Sequence, residues 1–495
     1  MVAVLPIRAL DLRRLVRTLS SAPALPSSYH VRNRVLRAFL DASTWPPARA
    51  SAPGSTLKLD QGAATWERVL RDGNRGWAVG EVPEELLAAS SSTSSGARRS
   101  GKTTPTRSTT DSFSKSTSSS SSSSSPARCW GVFFLYGGIY QGSDPNGKPT
   151  PRLDLWLSDD GGGGQSRAGL LAHIVERIVP VLLLNDVQDG SDAPHQEKQE
   201  PERRIARFLC CSLNEPDATA VRRLATARPE AIAIRFDNPC VRFLSPPSAR
   251  SAPSPFSAHG AEKNRGVAFQ SESDGSGKGE LEGSWTMDKI KEANIDAIIK
   301  ANKIPYPAHY VREHTFLSSL VRGKLECVEA EAGDNETARQ GEGAQAWGWT
   351  YVHSNLFVAS LYVQPEQRRR RLRLYERINP AQKGEGGTDA HDQKTIGIGT
   401  ALILDLTAQL VRAQRAALSA LGLTDDELLP CENEAEADAS QPGPYDVNAE
   451  SELDNVGAHA FFERGPGFMR AQGQTAWMLL EVSPREGEGI VIPES

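Results

Sequence analysis

The chain has 495 residues, 38% hydrophobic and 24% charged, enough for two or three domains. Its net charge of −5 gives no general reason to expect nucleic-acid binding, and its longest apolar runs, such as 178–184, are far too short to span a bilayer. Six cysteines (Cys129, Cys210, Cys211, Cys240, Cys327 and Cys431) show no C-x-x-C pairing and no disulfide-like density, which points to a reduced, intracellular setting.

At the start, Arg8, Arg13, Arg14 and Arg17 with Ser20 and Ser21 have the make-up of a mitochondrial presequence. Leu10, Leu12, Leu15 and Leu19 near helical spacing make the same stretch an amphipathic first helix of the fold, the reading favoured here. Helical patches are predicted at 7–19 and 30–42. Residues 88–127 are Ser/Thr/Gly-rich with almost no apolar content, so they cannot offset their ordering entropy and are predicted to be disordered. Within them, 96–103 satisfies G-x-x-x-x-G-K-T. A phosphate loop needs a buried strand before it and a helix after it, whereas Ser-rich coil precedes this match and Pro105 follows it.

Residues 129–158 alternate apolar side chains around a G-S-D-P-N-G-K-P turn and read as two strands, W-G-V-F-F-L-Y and L-D-L-W-L. A glycine-rich loop at 161–164 leads to an amphipathic helix over 167–184. Strands are predicted at 205–213 and 231–236, with a short helix at 216–227 between them. The alternation predicts an α/β half of its own, 1–245, with a structural or substrate-shaping role.

A polar, Gly/Ser-rich linker is predicted over 246–284. A helix over 286–301 follows, carrying Ile290, Ile295, Ile298 and Ile299. The phrase K-I-P-Y-P-A-H-Y-V-R-E breaks it and starts a second helix reaching about 321. Strands are predicted at 325–330, 346–353 and 356–363. The last of these, within N-L-F-V-A-S-L-Y-V-Q-P-E-Q-R, stops at Pro365, which cannot donate to a sheet ladder. After a polar insertion comes K-T-I-G-I-G-T-A-L-I-L-D-L-T-A-Q-L-V-R, in which Gly397 and Gly399 open a long helix over 397–421. The first N–H groups of a helix are unpaired and carry partial positive charge, and glycines let a phosphate come close to them. An acidic excursion over 424–440, a short strand at 444–447, a helix at 455–464 and a strand at 475–482 complete the chain.

V-Q-P-E-Q-R followed by K-T-I-G-I-G-T-A-L resembles the acyl-CoA loop of the GNAT superfamily of N-acyltransferases, V-x-P-x-x-R/Q-x-x-G-x-G-x-A-L, split here by an insertion. Arg368 holds the place of the Arg/Gln, and Lys394, three before Gly397, also fits it. Asn455, Ala458, Phe461, Phe462, Glu463, Gly467 and Phe468 fit the family's N-x-x-A-x-x-F/L-Y-E-x-x-G-F helix. The N-terminal run L-R-R-L-V-R-T-L-S-S-A-P-A-L-P-S-S-Y-H-V, with the two-half layout, is similar to glycine N-acyltransferase-like proteins.

The resemblance implies an α/β (α+β) fold: a GNAT-like mixed sheet with flanking helices over 285–495, with insertions at about 369–393 and 424–443, preceded by a degenerate GNAT-like half. It implies an enzyme moving an acyl (acetyl) group from acyl-CoA to an amine, a small molecule or amino acid, with no metal, nucleic-acid or membrane partner and a cytoplasmic or, alternatively, mitochondrial setting. The rival reading is a non-catalytic acyl-CoA-binding or scaffold protein, and a third is protein or histone acetylation, prompted by the arginine run. For the cofactor it implies Leu361, Tyr362 and Val363 along the pantetheine, Arg368, Gly397, Ile398, Gly399 and Thr400 at the pyrophosphate, and Asn455 and Phe462 on the second motif.

The run Arg368–Arg371 with Arg373 could hold phosphates, form a solvated insertion or serve as a nuclear-import patch. Family members often place a tyrosine proton donor where this chain has Phe462, beside Phe461; neither can donate. His353 and Glu326 are the candidate acid–base residues, with Tyr351, Glu329, His459 and Glu463 nearby and more easily read as structural.

Overall fold

The computed structural model describes residues 2–21, 26–37, 39–40, 70, 75–88, 129–139, 150–158, 164–189, 205–246, 266–270, 283–301, 308–325, 345–353, 355–368, 370–373, 395–424 and 445–484. The first half runs β1 (Val4–Pro6), α1 (Leu12–Ser21), α2 (Pro26–Arg37), β2 (Arg75–Gly80), β3 (Trp130–Ile139) and β4 (Thr150–Leu157). Helix α3 (Gly164–His173) then passes through a π turn (Ile174–Ile178) into α4 (Val179–Asp189), and β5 (Ala206–Asn214), α5 (Glu215–Ala227) and β6 (Ile232–Leu244) follow. The second half runs β7 (Gly266–Gln270), β8 (Gly283–Asp288), α6 (Ile295–Ala301), α7 (Ala308–His314), β9 (Ser318–Leu325), β10 (Gln345–Val352), β11 (Val358–Val363), β12 (Arg370–Arg373) and β13 (Thr395–Gly397). It ends with α8 (Ile398–Ala420), β14 (Asn448–Glu452), α9 (Val456–Arg464) and β15 (Met469–Val482).

These strands form one mixed sheet in the order β1-β2-β3-β4-β5-β15-β6-β14-β11-β10-β9-β8-β7-β12-β13. If β7, β12 and β13 are set aside, one series of elements occurs twice: strand, two helices, three strands, helix, strand, helix, strand. The halves interlock through their last strands. β15 lies between β5 and β6, and β6 lies between β15 and β14. The β6–β15 ladder runs antiparallel from Met469↔Leu244 to Val482↔Ile232.

Both faces of the sheet are covered, so β3 and β4, expected to alternate, are buried on both sides over 130–136 and 152–157. Phe133, Leu135, Leu153 and Leu155 pack with residues of α3, α4 and α5, while Val132, Phe134 and Trp156 pack with residues of α1 and α2. Leu15, Val16 and Leu19 of α1 are fully buried, so the structure uses the N-terminal leucines as a core helix. Among the described residues no helix is long and apolar enough to cross a membrane.

Several expectations are corrected. The stretch read as a helix over 286–301 begins as strand β8, where Trp285 and Met287 are buried and their neighbours less so, a strand alternation mistaken for the start of the Ile-rich helix. The next helix ends at His314 rather than near 321, and β9 starts at Ser318 rather than at 325. The linker over 246–284 contains β7, which pairs with β8 and β12. The insertion at 369–393 contains β12, because Leu372 between arginines is fully buried with Trp347, Ile398 and Leu402. The short strand expected at 444–447 is β14, starting at Asn448. β2 was not foreseen. The Walker-like stretch 96–103, Glu326 and Glu329 lie outside the described residues.

Candidate functional site

β11 and β14 are parallel neighbours that share one register pair, Val358↔Ala449. Beyond it they part, because each follows a different partner. β14 stays with β6 from Asn448↔Leu244 to Glu452↔Cys240, and β11 stays with β10 to Gly348↔Val363. The edge of β11 at Leu361, Tyr362 and Val363 therefore faces a V-shaped opening. A bulge marks the start of the divergence: between Tyr351↔Ala359 and Trp349↔Tyr362, β11 carries an extra residue, and Ser360 sits at φ 43°. A serine in this left-handed region is strained, and a bulge turns ladder N–H groups away from their strand partner. Tyr362 is fixed by stacking on Trp349 at 4.5 Å.

The N-terminus of α8 lies at the same place. Gly397 is its N-cap, and no side chain caps it. A Cβ on Gly399 would meet Phe461 at 3.0 and 3.3 Å and Val363 Cγ2 at 3.7 Å, so the glycine turn, the end of β11 and helix α9 converge. Asn455 accepts from the Ala458 N–H at 3.1 Å and so caps α9 itself. Ile398 is buried with Trp347 and Leu402. Phe462 faces the core, stacked on Phe243 at 5.1 Å and beside Phe468. The aromatic contact with the glycine turn is thus made by Phe461, one residue earlier than the motif position.

The arginines are drawn to this turn by the β12–β13 ribbon, in which Arg371 pairs with Gly397. Arg368 is exposed and donates through Nε to the Val363 carbonyl at 3.2 Å. Arg371 Nη2 donates to the Thr395 carbonyl at 3.2 Å. Arg370 is buried over the Trp347 ring at 5.2 Å, and its Nε has no hydrogen-bond partner among the described residues. Burial lowers its pKa.

Of the acid–base candidates, His353 is half-buried, with Nδ1 2.8 Å from the Tyr310 hydroxyl. Burial first, and the Arg152 charge second, push its pKa down to about 3, so the imidazole is neutral at pH 7. Tyr310 packs with Tyr351 and Ala359, next to the bulge. His459 is tied to the Glu452 carbonyl at 2.9 Å, and Glu463 forms an ion pair with Arg470 at 3.4 Å. Both have structural partners.

A buried polar network between the halves escaped the sequence reading. Glu450, next to Ala449 at the vertex of the V, accepts from Ser212 Oγ (2.5 Å), Trp477 Nε1 (2.9 Å) and Thr475 Oγ1 (3.3 Å), with His30 Nε2 at 3.7 Å. Burial raises its pKa, but His30, Ser212 and Trp477 together outweigh burial and hold the carboxyl down at about 2. His30 Nδ1 is 3.9 Å from Asp154 and 2.6 Å from Asn355 Nδ2. Strands β4 and β5 of the first half form a second short parallel contact, Arg152↔Leu209 and Leu153↔Cys210. Beside it, Asp154 pairs with Arg34 at 2.7 Å and accepts from Tyr136 at 3.3 Å. The one available signal was Arg152 and Asp154 standing inside an otherwise apolar strand.

No family model and no curated protein matches the chain. Among solved structures, a GCN5-related N-acetyltransferase from Sphaerobacter thermophilus is similar over 74% of this chain and 83% of its own, with 10% identity and a TM-score of 0.31. A protein from Drosophila matches over 72% and 79% of the two chains, with 10% identity and a TM-score of 0.34. A protein described as an acetyltransferase of the GNAT family from Novosphingobium aromaticivorans matches over 70% and 92%, with 11% identity and a TM-score of 0.26. Likenesses at these scores carry no argument about the site, which stands on its geometry.

Proposed function

We propose that the chain transfers an acyl group from an acyl-CoA to an amine, in the manner of a GNAT N-acyltransferase. The observation that carries this is the opening between β11 and β14, with a bulge at its start and the glycine-capped N-terminus of α8 at its end. An extended pantetheine can pair with the edge of β11 at Leu361 and Tyr362 as an added strand, next to the Val363 carbonyl that Arg368 holds. A pyrophosphate can lie on the N–H groups of Gly399 and Thr400, with Arg368 and Arg371 beside it.

In the transfer, the amine nitrogen bonds to the thioester carbon, the C–S bond breaks, the amine gives up a proton and the thiolate takes one up. The bulge at Ser360 supplies N–H donors for the oxyanion. His353, held neutral by burial and bonded to Tyr310, can orient the amine through a hydrogen bond, while its depressed pKa makes it too weak a base to hold the amine's proton, which passes to solvent. Holding the two reactants together supplies much of the acceleration. The acceptor is a small-molecule amine or amino acid.

A second reading, an acyl-CoA-binding protein without activity, is favoured by one observation: α9 presents Phe461 to the glycine turn, and Phe461 has no proton to give. A calorimetric titration with a panel of acyl-CoAs, followed by mass analysis for amide products, separates the two. Binding with amide formation supports transfer, binding without product supports the second reading, and no binding defeats both.

A further inference from the structure

We infer that Arg370 binds the 3′-phosphate of coenzyme A, so that the β12–β13 ribbon selects a donor with a phosphorylated ribose. The inference rests on the acyl-CoA reading and carries it to the nucleotide end of the donor. β12 lies between β7 and β13, with Arg370 opposite Gln270 and Arg371 opposite Gly397. Continued by one residue, the β12–β13 register sets Arg370 opposite Ile398, the first residue of α8. Strand alternation puts Arg370 on the face of Leu372, which is buried with Trp347, Ile398 and Leu402, and Arg371 on the other face. Arg370 is thus held beside the first turn of α8, over the Trp347 ring at 5.2 Å.

The charge of Arg370 is unanswered. Among the described residues it makes no hydrogen bond and no ion pair, and its Nε is buried without a partner. Burial lowers its pKa, and no neighbouring charge opposes that effect. Arg368 and Arg371, by contrast, each donate to a backbone carbonyl. Buried cations are normally paired, so an anion is the missing neighbour. The side chain is not sealed in. It keeps 8% exposure, Arg368 and Arg371 on either side of it are exposed, and the ribbon is the last pair of strands in the sheet.

The course of the chain points to the nucleotide. A pantetheine that follows β11 outward from Val358 brings the pyrophosphate to Gly399, and the nucleotide continues past the end of the strand. The protein takes the same course: β11 ends at Val363, a single turn over Pro365–Gln367 follows, and β12 begins at Arg370. The pyrophosphate is already served by the N–H groups of Gly399 and Thr400 and by the two exposed arginines. The phosphate left over is the monoester on the ribose, which carries a charge of about −1.5 to −2 at neutral pH. A planar guanidinium, fixed on an indole ring and lacking a partner, suits that group.

The test is a calorimetric titration of the full chain with coenzyme A and with 3′-dephospho-coenzyme A. The wild type should bind coenzyme A roughly ten- to a hundredfold more tightly, the worth of a charge-assisted contact. Arg370→Met, which keeps an apolar stem over Trp347, should bring coenzyme A down to the affinity of the dephosphorylated form, whose own Kd stays unchanged. Arg370→Lys should keep part of the preference, and it carries the test if Arg370→Met does not fold. Equal binding of the two ligands by the wild type overturns the assignment alone and needs no variant. A preference undiminished in either folded variant also overturns it. If the folded wild type binds neither ligand, the acyl-CoA reading itself falls, and the assignment with it.

Discussion

Phe461 stands over Gly399: a Cβ at that glycine would lie 3.0 Å from Cε2 of the ring. The position is glycine for a packing reason in addition to any ligand. Gly399→Ala should destabilise the protein by about 1–3 kcal/mol through overpacking. Phe461→Leu in the same chain should recover most of that loss in urea unfolding. Strictly additive effects would show that the ring does not bear on the glycine.

The β12–β13 ribbon sets Arg371 opposite Gly397 and seats Arg370 on Trp347, so the arginine run belongs to the edge of the proposed cofactor site. Replacing Arg368 and Arg371 by glutamine should weaken coenzyme A binding more at low salt than at high salt, since attraction by exposed charges is screened. Calorimetry at two ionic strengths checks this. An equal loss at both, or none, would mean that the ribbon only packs.

Glu450 links the halves through Ser212 and His30 on one side and its own strand on the other. Its folded pKa of about 2 lies below the ordinary 4.5. The folded state therefore binds fewer protons than the unfolded state between these values. The stabilisation is complete above about pH 4.5 and is lost as pH falls through about 2. Its size is about 3 kcal/mol. Glu450→Gln should cost about that much at pH 7, with the gap closing across the same window. A gap that stays constant down to pH 2 would contradict the assignment.

His353 is expected to stay neutral well below the usual histidine range, because burial and Arg152 both oppose its charge. Nitrogen-15 shifts of the imidazole, assigned by comparison with His353→Gln, should show no titration between pH 5 and 8. A midpoint near 6.5 would place the ring in water and remove it from the proposed site.

The long helix, the paired motifs and the strands around them were legible because each has a strong local signal: glycines before an apolar helix, Pro365 after a strand, Asn455 at a cap. The exchange of β6 and β15 was not, since strand partners far apart in sequence leave no local trace. The β12 strand was hidden by its composition, with four consecutive arginines outweighing the single buried Leu372. Glu450 and His30 were missed for a related reason. Each looks like an ordinary surface residue until the interlocked sheet buries it, and their partners lie far away along the chain. Which of the two phenylalanines meets Gly399 was not legible: α9 turns Phe461 to the glycine and Phe462 to Phe243.

The most direct measurement of the central claim is acetyl-CoA binding to the wild type and to Gly399→Val, with circular dichroism as the folding control. The wild type should bind at a single site, and the folded variant should bind on the order of ten- to a thousandfold more weakly, through the loss of one or two backbone donors to phosphate. A folded Gly399→Val that binds acetyl-CoA as tightly as the wild type would contradict the account and move the cofactor away from the opening between β11 and β14.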